Sequence, residues 1–245
     1  MKKIIKLPLV LLLVLLWTAS MCSAAVAVTP DDDVPPERVS LANNAVAHTQ
    51  KVIHQLYGIT LHSNVEILIH EGSNPDNQDV GGNAVAGKIV IWDEPEYGEY
   101  KLAFLIAHEL THQYQIERVG KDALNKNLWF TEGMADLIGV QSAHIYDKDK
   151  VRAFMDSVRS RGTAGNFYLS WITQRTAWSD AFNQGLPIYA KADLGVVYLV
   201  SRYPAAKLWA YLYALRTYPD ADKAMKATYG FSIDALDKQI EQTFQ

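Results

Sequence analysis

The chain is nearly without cysteine. Cys22 is the only one among 245 residues, and it lies close to the N-terminus. The rest of the chain can therefore form no internal disulfide and offers no thiolate to a metal ion. A metal would have to be held by histidine, aspartate or glutamate side chains. A basic excess is lacking as well: the formal net charge is -4, which argues against nucleic acid as a partner.

Long apolar runs are scarce, and the one that stands out opens the chain. Three lysines precede an apolar run over 7–17 that ends in small residues, a pattern typical of a cleaved signal peptide over 1–27. A membrane anchor is the alternative, but the run is shorter than the about 20 residues that a spanning helix needs. We therefore expect a secreted or periplasmic protein with no membrane span after cleavage. Lipid attachment at Cys22 is disfavoured, because the preceding Met21 is large.

One domain is expected after this leader. Residues 28–36 combine prolines with three consecutive aspartates, and such a composition predicts a solvated linker. The remaining length, 37–245, supports one sizeable core. Apolar periodicity there predicts a helix over 37–56, strands over 65–70 and 87–94, and then helices over 100–119, 130–145, 148–160, 187–202, 205–217, 220–228 and 232–243. A small sheet followed by a mainly helical body is an α+β fold.

The segment AHELTHQYQ, residues 107–115, carries the most informative motif. On a helix, His108 and His112 stand one turn apart on the same face and can bind one metal ion. Glu109 would lie beside that metal, where it can take a proton from an activated water and pass it to a leaving amine. Such a string arises by chance in about 1 in 100 chains of this kind, so the interpretation depends on a third ligand.

The third ligand is expected from the next helix, in NLWFTEGMADLIG. Glu132 completes a His-His-Glu set of the kind found in catalytic zinc sites, where a fourth position stays open for water or substrate. Asp136, one turn later, could bind the second ring nitrogen of His108 and so fix its tautomer. The alternative for this stretch is a helix start capped by Thr131, with Glu132 complementing the helix dipole. Both interpretations can hold at once.

These residues resemble the gluzincin zinc metallopeptidases. The HExxH motif followed by Glu132 and Asp136 has the spacing seen in thermolysin-like enzymes, and WFTEG over 129–133 resembles the W-x-x-E-G of aminopeptidase N relatives. Over 88–244 the chain is similar to the small peptidase MA-like domains, which pair HExxH with EGxA. The resemblance implies a thermolysin-like zincin catalytic fold, bound zinc and a peptide or protein substrate.

A tyrosine role is implied by the same resemblance. LPIYAKADLGVVYLVSRYP, residues 186–204, is similar to the part of aminopeptidase N relatives in which a tyrosine points at the substrate carbonyl. That role falls on Tyr189, whose hydroxyl would donate a hydrogen bond to the oxyanion. Packing at a helix start is the alternative for Tyr189, and Tyr198 is then the next candidate. Ala192 stands where those relatives usually have glycine.

Internal cleavage is expected rather than removal of terminal residues. The amine-binding Gly-x-Met-Glu-Asn segment of aminopeptidase N relatives has no counterpart between Gly81 and His108, so exopeptidase activity does not carry over. The strand over 87–92 could instead pair its edge with an extended peptide. Loops over 162–168 and 171–185 would shape side-chain specificity. We therefore expect a secreted or periplasmic zinc endopeptidase.

A second class of function stays open. An envelope protein could keep the fold and the zinc but only bind a peptide or glycan, in an aromatic groove suggested by Trp171, Trp178 and Trp209. Tryptophans are more often core residues. An intact Glu109 argues against this alternative, because a pure binding protein needs no general base.

Overall fold

The structure, a computed structural model, describes residues 24–75, 81–94, 96–163 and 167–244. Residues 1–23 of the signal peptide predicted over 1–27, including Cys22, lie outside these ranges. None of the helices in the described ranges is long and apolar enough to cross a bilayer.

The four strands lie in the first part of the chain, interrupted by one long helix, and helices make up most of the remainder. The strands are β1 (Val26–Pro30), β2 (Val65–Glu71), β3 (Gly82–Val85) and β4 (Lys88–Asp93). The helices are α1 (Pro36–Tyr57), α2 (Glu99–Val119), α3 (Lys121–Leu124), α4 (Leu128–Ala143), α5 (Lys148–Gly162), α6 (Arg175–Asn183), α7 (Ile188–Arg202), α8 (Ala206–Thr217), α9 (Ala221–Tyr229) and α10 (Ile233–Phe244), with a 3-10 helix at Leu169–Ile172. The predicted α+β class, with a small sheet and a mainly helical body, is confirmed.

The sheet has the order β1-β2-β4-β3. The first three strands in this order are parallel to one another, and β3 runs antiparallel to β4. Ile67, Ile69, Ile89 and Ile91 are fully buried, so alternate positions of the two central strands face the helices. Since β4 pairs on both sides, the predicted exposed edge over 87–92 is wrong. The edge on this side is β3, whose four residues are too few and too glycine-rich to give a strand pattern.

Strand β1 corrects the predicted linker over 28–36. It pairs with β2 in a parallel register from Val26↔Val65 to Pro30↔Ile69, and only the turn that follows separates it from α1. The domain therefore begins before residue 28, and the predicted leader over 1–27 overlaps the strand. The composition of this stretch did not show a strand, because its stability comes from pairing with a distant partner rather than from buried side chains.

Helix α2 is the central helix of the body. Leu102 and Ile106 are fully buried along it, as the apolar run before the HExxH motif predicts, and so is Leu110 within the motif. It packs against α1, α4 and strands β3 and β4. The helix ends at Gly120, whose φ of 81° lies in the region that favours glycine. Because α2 packs against neighbours on several sides, the HExxH motif that it carries is held rigidly.

Helices α4 and α7 approach each other through small residues. A Cβ built on Gly133 would lie 2.7 Å from the carbonyl oxygen of Ala192, and one on Gly195 would lie 2.9 Å from the ring of Trp129. Such contacts exclude any side chain at the two glycines. Ala192 is itself fully buried. The start of α7 is thereby brought next to the first turns of α4.

Helix α6 lies within 171–185, for which the sequence predicts a loop. Its nine residues bury only Trp178 and Ala181, so the apolar pattern is too sparse to indicate a helix. It precedes α7 and borders the cleft described below.

Candidate metal centre

His108, His112 and Glu132 come together where α2 and α4 pack side by side. The two Nε2 atoms are 3.0 Å apart, and Glu132 Oε2 lies 3.5 Å from that of His108 and 3.6 Å from that of His112. A tetrahedral ion bound at about 2.0–2.1 Å would hold its ligand atoms about 3.3 Å apart. The three atoms therefore fit one metal ion. In the described ranges, this is the one cluster of three or more such side chains close enough to share an ion.

The charges of the three side chains are mutually dependent. Burial alone would lower the pKa of both histidines. Asp136 and Glu132 nevertheless raise the pKa of His108 above its ordinary value, and Glu132 does the same for His112. Burial would raise the pKa of Glu132, yet the two histidines hold it well below its usual range. Without a cation the histidines thus tend to carry protons, which a metal ion would displace.

Two further side chains orient the histidine rings. Nδ1 of His108 lies 2.7 Å from Asp136 Oδ1, the contact that the spacing predicts. Nδ1 of His112 lies 2.9 Å from Gln115 Oε1, and the Gln115 amide donates in turn to the carbonyl of Thr131 at 3.1 Å. Both contacts place a proton on Nδ1 and leave Nε2 free to bind a metal. Sequence reasoning missed Gln115, although its position three residues after His112 was a usable signal.

The capping alternative for Glu132 is wrong. Helix α4 already begins at Leu128, after Asn127, so Glu132 lies beyond the first turn. The Thr131 hydroxyl donates to the carbonyl of Leu128 at 3.1 Å instead of accepting from the backbone. The helix dipole therefore does not account for an acidic residue at this place.

Glu109 lies next to the three candidate ligands and is only 7% exposed. Burial raises the pKa of the Glu109 carboxyl, and the charges of Glu132 and Asp136 raise it further. His108 and His112 lower this pKa, but the net shift is upward. A carboxylate with a raised pKa is a better proton acceptor near neutral pH. The backbone of Gly82 on β3 packs directly against this side chain.

The buried side chain of Gln113 fastens the β3–β4 turn to α2. Its amide donates to the carbonyls of Val85 and Lys88, the latter at 2.9 Å, and its oxygen accepts from the backbone nitrogen of Gly87 at 3.0 Å. These bonds fix the position of β3 relative to the HExxH motif. Sequence reasoning missed this role, because it depends on a contact between distant segments.

The candidate ligands open into a cleft of about 540 Å³. Strand β3 forms one wall, and residues from α2, α3, α4, α6 and α7 form the others. The lining residues are Gly82, Asn83, Ala84, Val85, His108, Glu109, His112, Ile116, Lys121, Leu124, Asn125, Leu128, Thr131, Glu132, Arg175 and Tyr189. The size is within the usual range for ligand sites.

Tyr189 lines this cleft, whereas Tyr198 does not. Tyr189 is 42% exposed, and its ring packs edge-on against Trp178 with the centroids 5.2 Å apart. Burial, and then Glu132, Asp136 and Glu109, raise the pKa of its phenol, so the hydroxyl stays protonated. Tyr198 is buried on another face of α7, and its hydroxyl lies 3.2 Å from Gln239 Oε1. Of the two, only Tyr189 faces the candidate metal ligands.

Asp193 is a buried acid that sequence reasoning missed. It lies one turn after Tyr189 on α7, within hydrogen-bonding reach of Asp136. Burial and the charge of Asp136 raise the pKa of Asp193 well above its usual value. A protonated Asp193 can donate a hydrogen bond to Asp136. Only the packing of α7 against α4 reveals this contact.

The three tryptophans do not form one groove. Trp209 is 2% exposed and belongs to the core, and Trp178 is buried against Tyr189. Trp171 is 57% exposed and packs edge-on against Tyr168. None of them lines the cleft as far as the structure describes it.

A scan against models of known protein families finds no match for this chain, and a search of curated proteins finds no relative. The donor atoms of the cluster and the distances between them are therefore what supports a function for this site.

Proposed function

We propose that the protein is a zinc-dependent metallopeptidase of the gluzincin type, secreted or periplasmic, that hydrolyses bonds within peptide or protein substrates. One observation carries the proposal. The donor atoms of His108, His112 and Glu132 lie 3.0 to 3.6 Å apart, at a cleft that Glu109 also lines.

The donor set suits zinc. Two imidazole nitrogens and one carboxylate oxygen are the ligands of many catalytic zinc sites, and they leave one position open. When bound, zinc would polarise the scissile carbonyl and make a water molecule more acidic. Asp136 and Gln115 hold the rings of His108 and His112 with Nε2 directed to the ion.

Glu109 is the general base of the proposed reaction. Its carboxylate takes a proton from the attacking water and then delivers that proton to the leaving amine. Its position in the cleft, on the residue next to His108, supports both steps.

Tyr189 supplies the hydrogen bond to the oxyanion. Its hydroxyl stays protonated, and the ring is held by Trp178 at the side of the cleft that faces the candidate ligands. A donor in this position stabilises negative charge as it develops on the carbonyl oxygen.

Strand β3 gives the substrate a place to bind. Asn83 and Ala84 line the cleft, and among the described strands β3 has a neighbour on one side only. An extended peptide can pair with such an edge and lie across the cleft with chain continuing at both ends, which favours internal cleavage. The sheet before the motif helix, with its antiparallel edge at the cleft, also supports a thermolysin-like zincin fold.

The test compares wild type with Glu109→Gln and with the control Glu99→Gln, which changes an exposed glutamate at the start of the same helix. Bound zinc is measured by atomic emission, and hydrolysis by mass spectrometry of a peptide-library digest. We expect one zinc per chain in all three proteins and a loss of activity by about 10²–10⁴-fold in Glu109→Gln alone. Wild-type protein without zinc, or full activity in Glu109→Gln, would contradict the proposal.

A further inference from the structure

Three apolar residues that the proposed reaction does not use also line the cleft: Ile116, Leu124 and Leu128. We call the part of the cleft that they line the outer recess, and these three residues its floor. Leu124 is 7% exposed and Leu128 6%, and both belong to the hydrophobic core. An apolar floor of this kind binds a hydrophobic side chain by removing it from water.

The rim of the outer recess is cationic. Lys121 begins α3 and Arg175 begins α6, and both are exposed side chains that line the cleft. Arg175 Nη2 makes one long hydrogen bond to Asn125 Oδ1, at 3.4 Å. Neither cation forms an ion pair within the described part of the chain, so both can bind a ligand.

The charges that remain in the cleft have one sign. Among its described lining residues, His108, His112 and Glu132 belong to the candidate metal site, and Glu109 is the proposed base. The other charged side chains are Lys121 and Arg175. A guanidinium and an ammonium group at one rim complement a carboxylate, and Arg can bind it through two parallel hydrogen bonds.

We propose that the outer recess selects peptides that place a carboxylate next to an apolar side chain, close to the bond that is cut. The carboxylate belongs either to an acidic side chain or to the C-terminus of the peptide. The apolar side chain lies on the floor, and the carboxylate binds at the rim. This rests on the proposed peptidase function, since it takes the peptide to lie along the cleft across the metal site.

The first experiment compares peptides of one length that differ at a single position. Each contains one leucine followed by Glu, Gln or Lys, and a further pair ends after leucine in a free carboxylate or in an amide. We expect zinc-loaded wild type to favour Glu over Gln, or the carboxylate over the amide, by about tenfold in kcat/KM, mainly through KM. Whichever pair shows the difference identifies the source of the carboxylate.

Substitutions of the two rim residues test whether the preference for a carboxylate arises in the outer recess. Arg175→Gln should abolish the preference, and Arg175→Glu should shift it to the Lys peptide. Lys121→Gln gives a second, independent loss if a change at Arg175 impairs folding. The control Arg152→Gln changes an exposed arginine on α5 outside the cleft and should keep the wild-type preference.

Binding separates this proposal from the proposed function. Zinc-loaded Glu109→Gln is titrated with the same peptides carrying a fluorescent label, and anisotropy gives the Kd without turnover. Equal cleavage and equal binding of the acidic, neutral and basic peptides overturn the selection by charge, while the peptidase stands. Tighter binding of the acidic peptide with no hydrolysis by wild type supports the recess and overturns the peptidase.

Discussion

Gly82 on the edge strand lies directly against Glu109. A Cβ built on Gly82 would stand 2.8 Å from Cγ and 2.9 Å from Oε1 of this glutamate. Atoms that are not bonded cannot approach so closely, so any side chain at residue 82 must displace either the strand or the carboxylate. The absence of a side chain at residue 82 thus sets the position of the proposed base.

We expect Gly82→Ala to lower kcat by about 10- to 100-fold, because a base moved by about 1 Å loses its alignment. Zinc content should stay at the wild-type level, since the three atoms nearest to that Cβ all belong to Glu109 and none to a candidate ligand. Gly81→Ala is the matched control: its Cβ would meet the flexible tip of Leu105 at 3.0 Å. Equal kcat values for the two variants would show that Gly82 does not position Glu109.

Stabilisation by zinc should grow with pH. The pKa values of His108 and His112 are raised in the absence of a cation. Below these raised pKa values the metal must displace protons, and each displaced proton weakens binding by up to about tenfold per pH unit. Histidines with raised pKa stabilise the zinc-free fold below their unfolded value and lose this effect as pH rises. The rise in Tm on adding zinc should therefore be larger at pH 8 than at pH 6. Differential scanning calorimetry with and without chelator measures this, and an equal rise at both pH values would contradict it.

Replacing Asp193 by asparagine should stabilise the zinc-free protein at high pH. The folded pKa of Asp193 lies above its unfolded value, so this acid costs stability as pH rises through that interval. Asparagine stays neutral and can still donate to Asp136. We expect Asp193→Asn to raise the free energy of unfolding at pH 8 by on the order of 1–2 kcal/mol and to leave it unchanged at pH 4. Denaturant titrations at both pH values give the comparison, with the exposed Asp156→Asn as the control.

Tyr189→Phe should reduce kcat by about 10²-fold with little change in KM, since its hydroxyl acts on charge that develops during the reaction. Tyr198→Phe removes a hydroxyl that contacts Gln239 outside the cleft. It should cost no more than about 1 kcal/mol of stability and leave kcat unchanged. Steady-state kinetics on one quenched peptide distinguishes the two. A larger loss of kcat in Tyr198→Phe would reassign the role.

The start of the folded domain can be tested by truncation. A chain that begins at Val28 loses two of the five paired positions of β1, and with them the bond from the nitrogen of Val65 to the carbonyl of Ala25 at 3.1 Å. We expect it to unfold several degrees below a chain that begins at Ala24, given about 1 kcal/mol for each lost hydrogen bond. Equal Tm values would show that the first two residues of the strand contribute nothing.

The sequence predicts the long helices well because their apolar positions repeat with the helical period. Helix α2 and the run from Leu102 to Leu110 are the clearest case, since burial there follows the pattern directly. Glu132 could also be predicted, because a glutamate near the start of the next apolar helix is a recognisable third ligand. Strands β1 and β3 could not be predicted, because both are short and depend on pairing with other strands.

The groups that support the site are harder to find in a sequence. Gln113 acts on the turn after β3, and Asp193 acts on Asp136 from another helix. Neither has a spacing that distinguishes it from an ordinary surface or core residue. Only the relative placement of α2, α4 and α7 gives these side chains a role.

The close approach at Gly133 has a consequence for how the two halves of the chain depend on each other. One extra methyl group there would force α4 and α7 apart. Glu132 directly precedes Gly133 on α4, and Tyr189 and Asp193 lie on α7. A substitution at this single position would thus separate the proposed oxyanion donor from the candidate metal ligands.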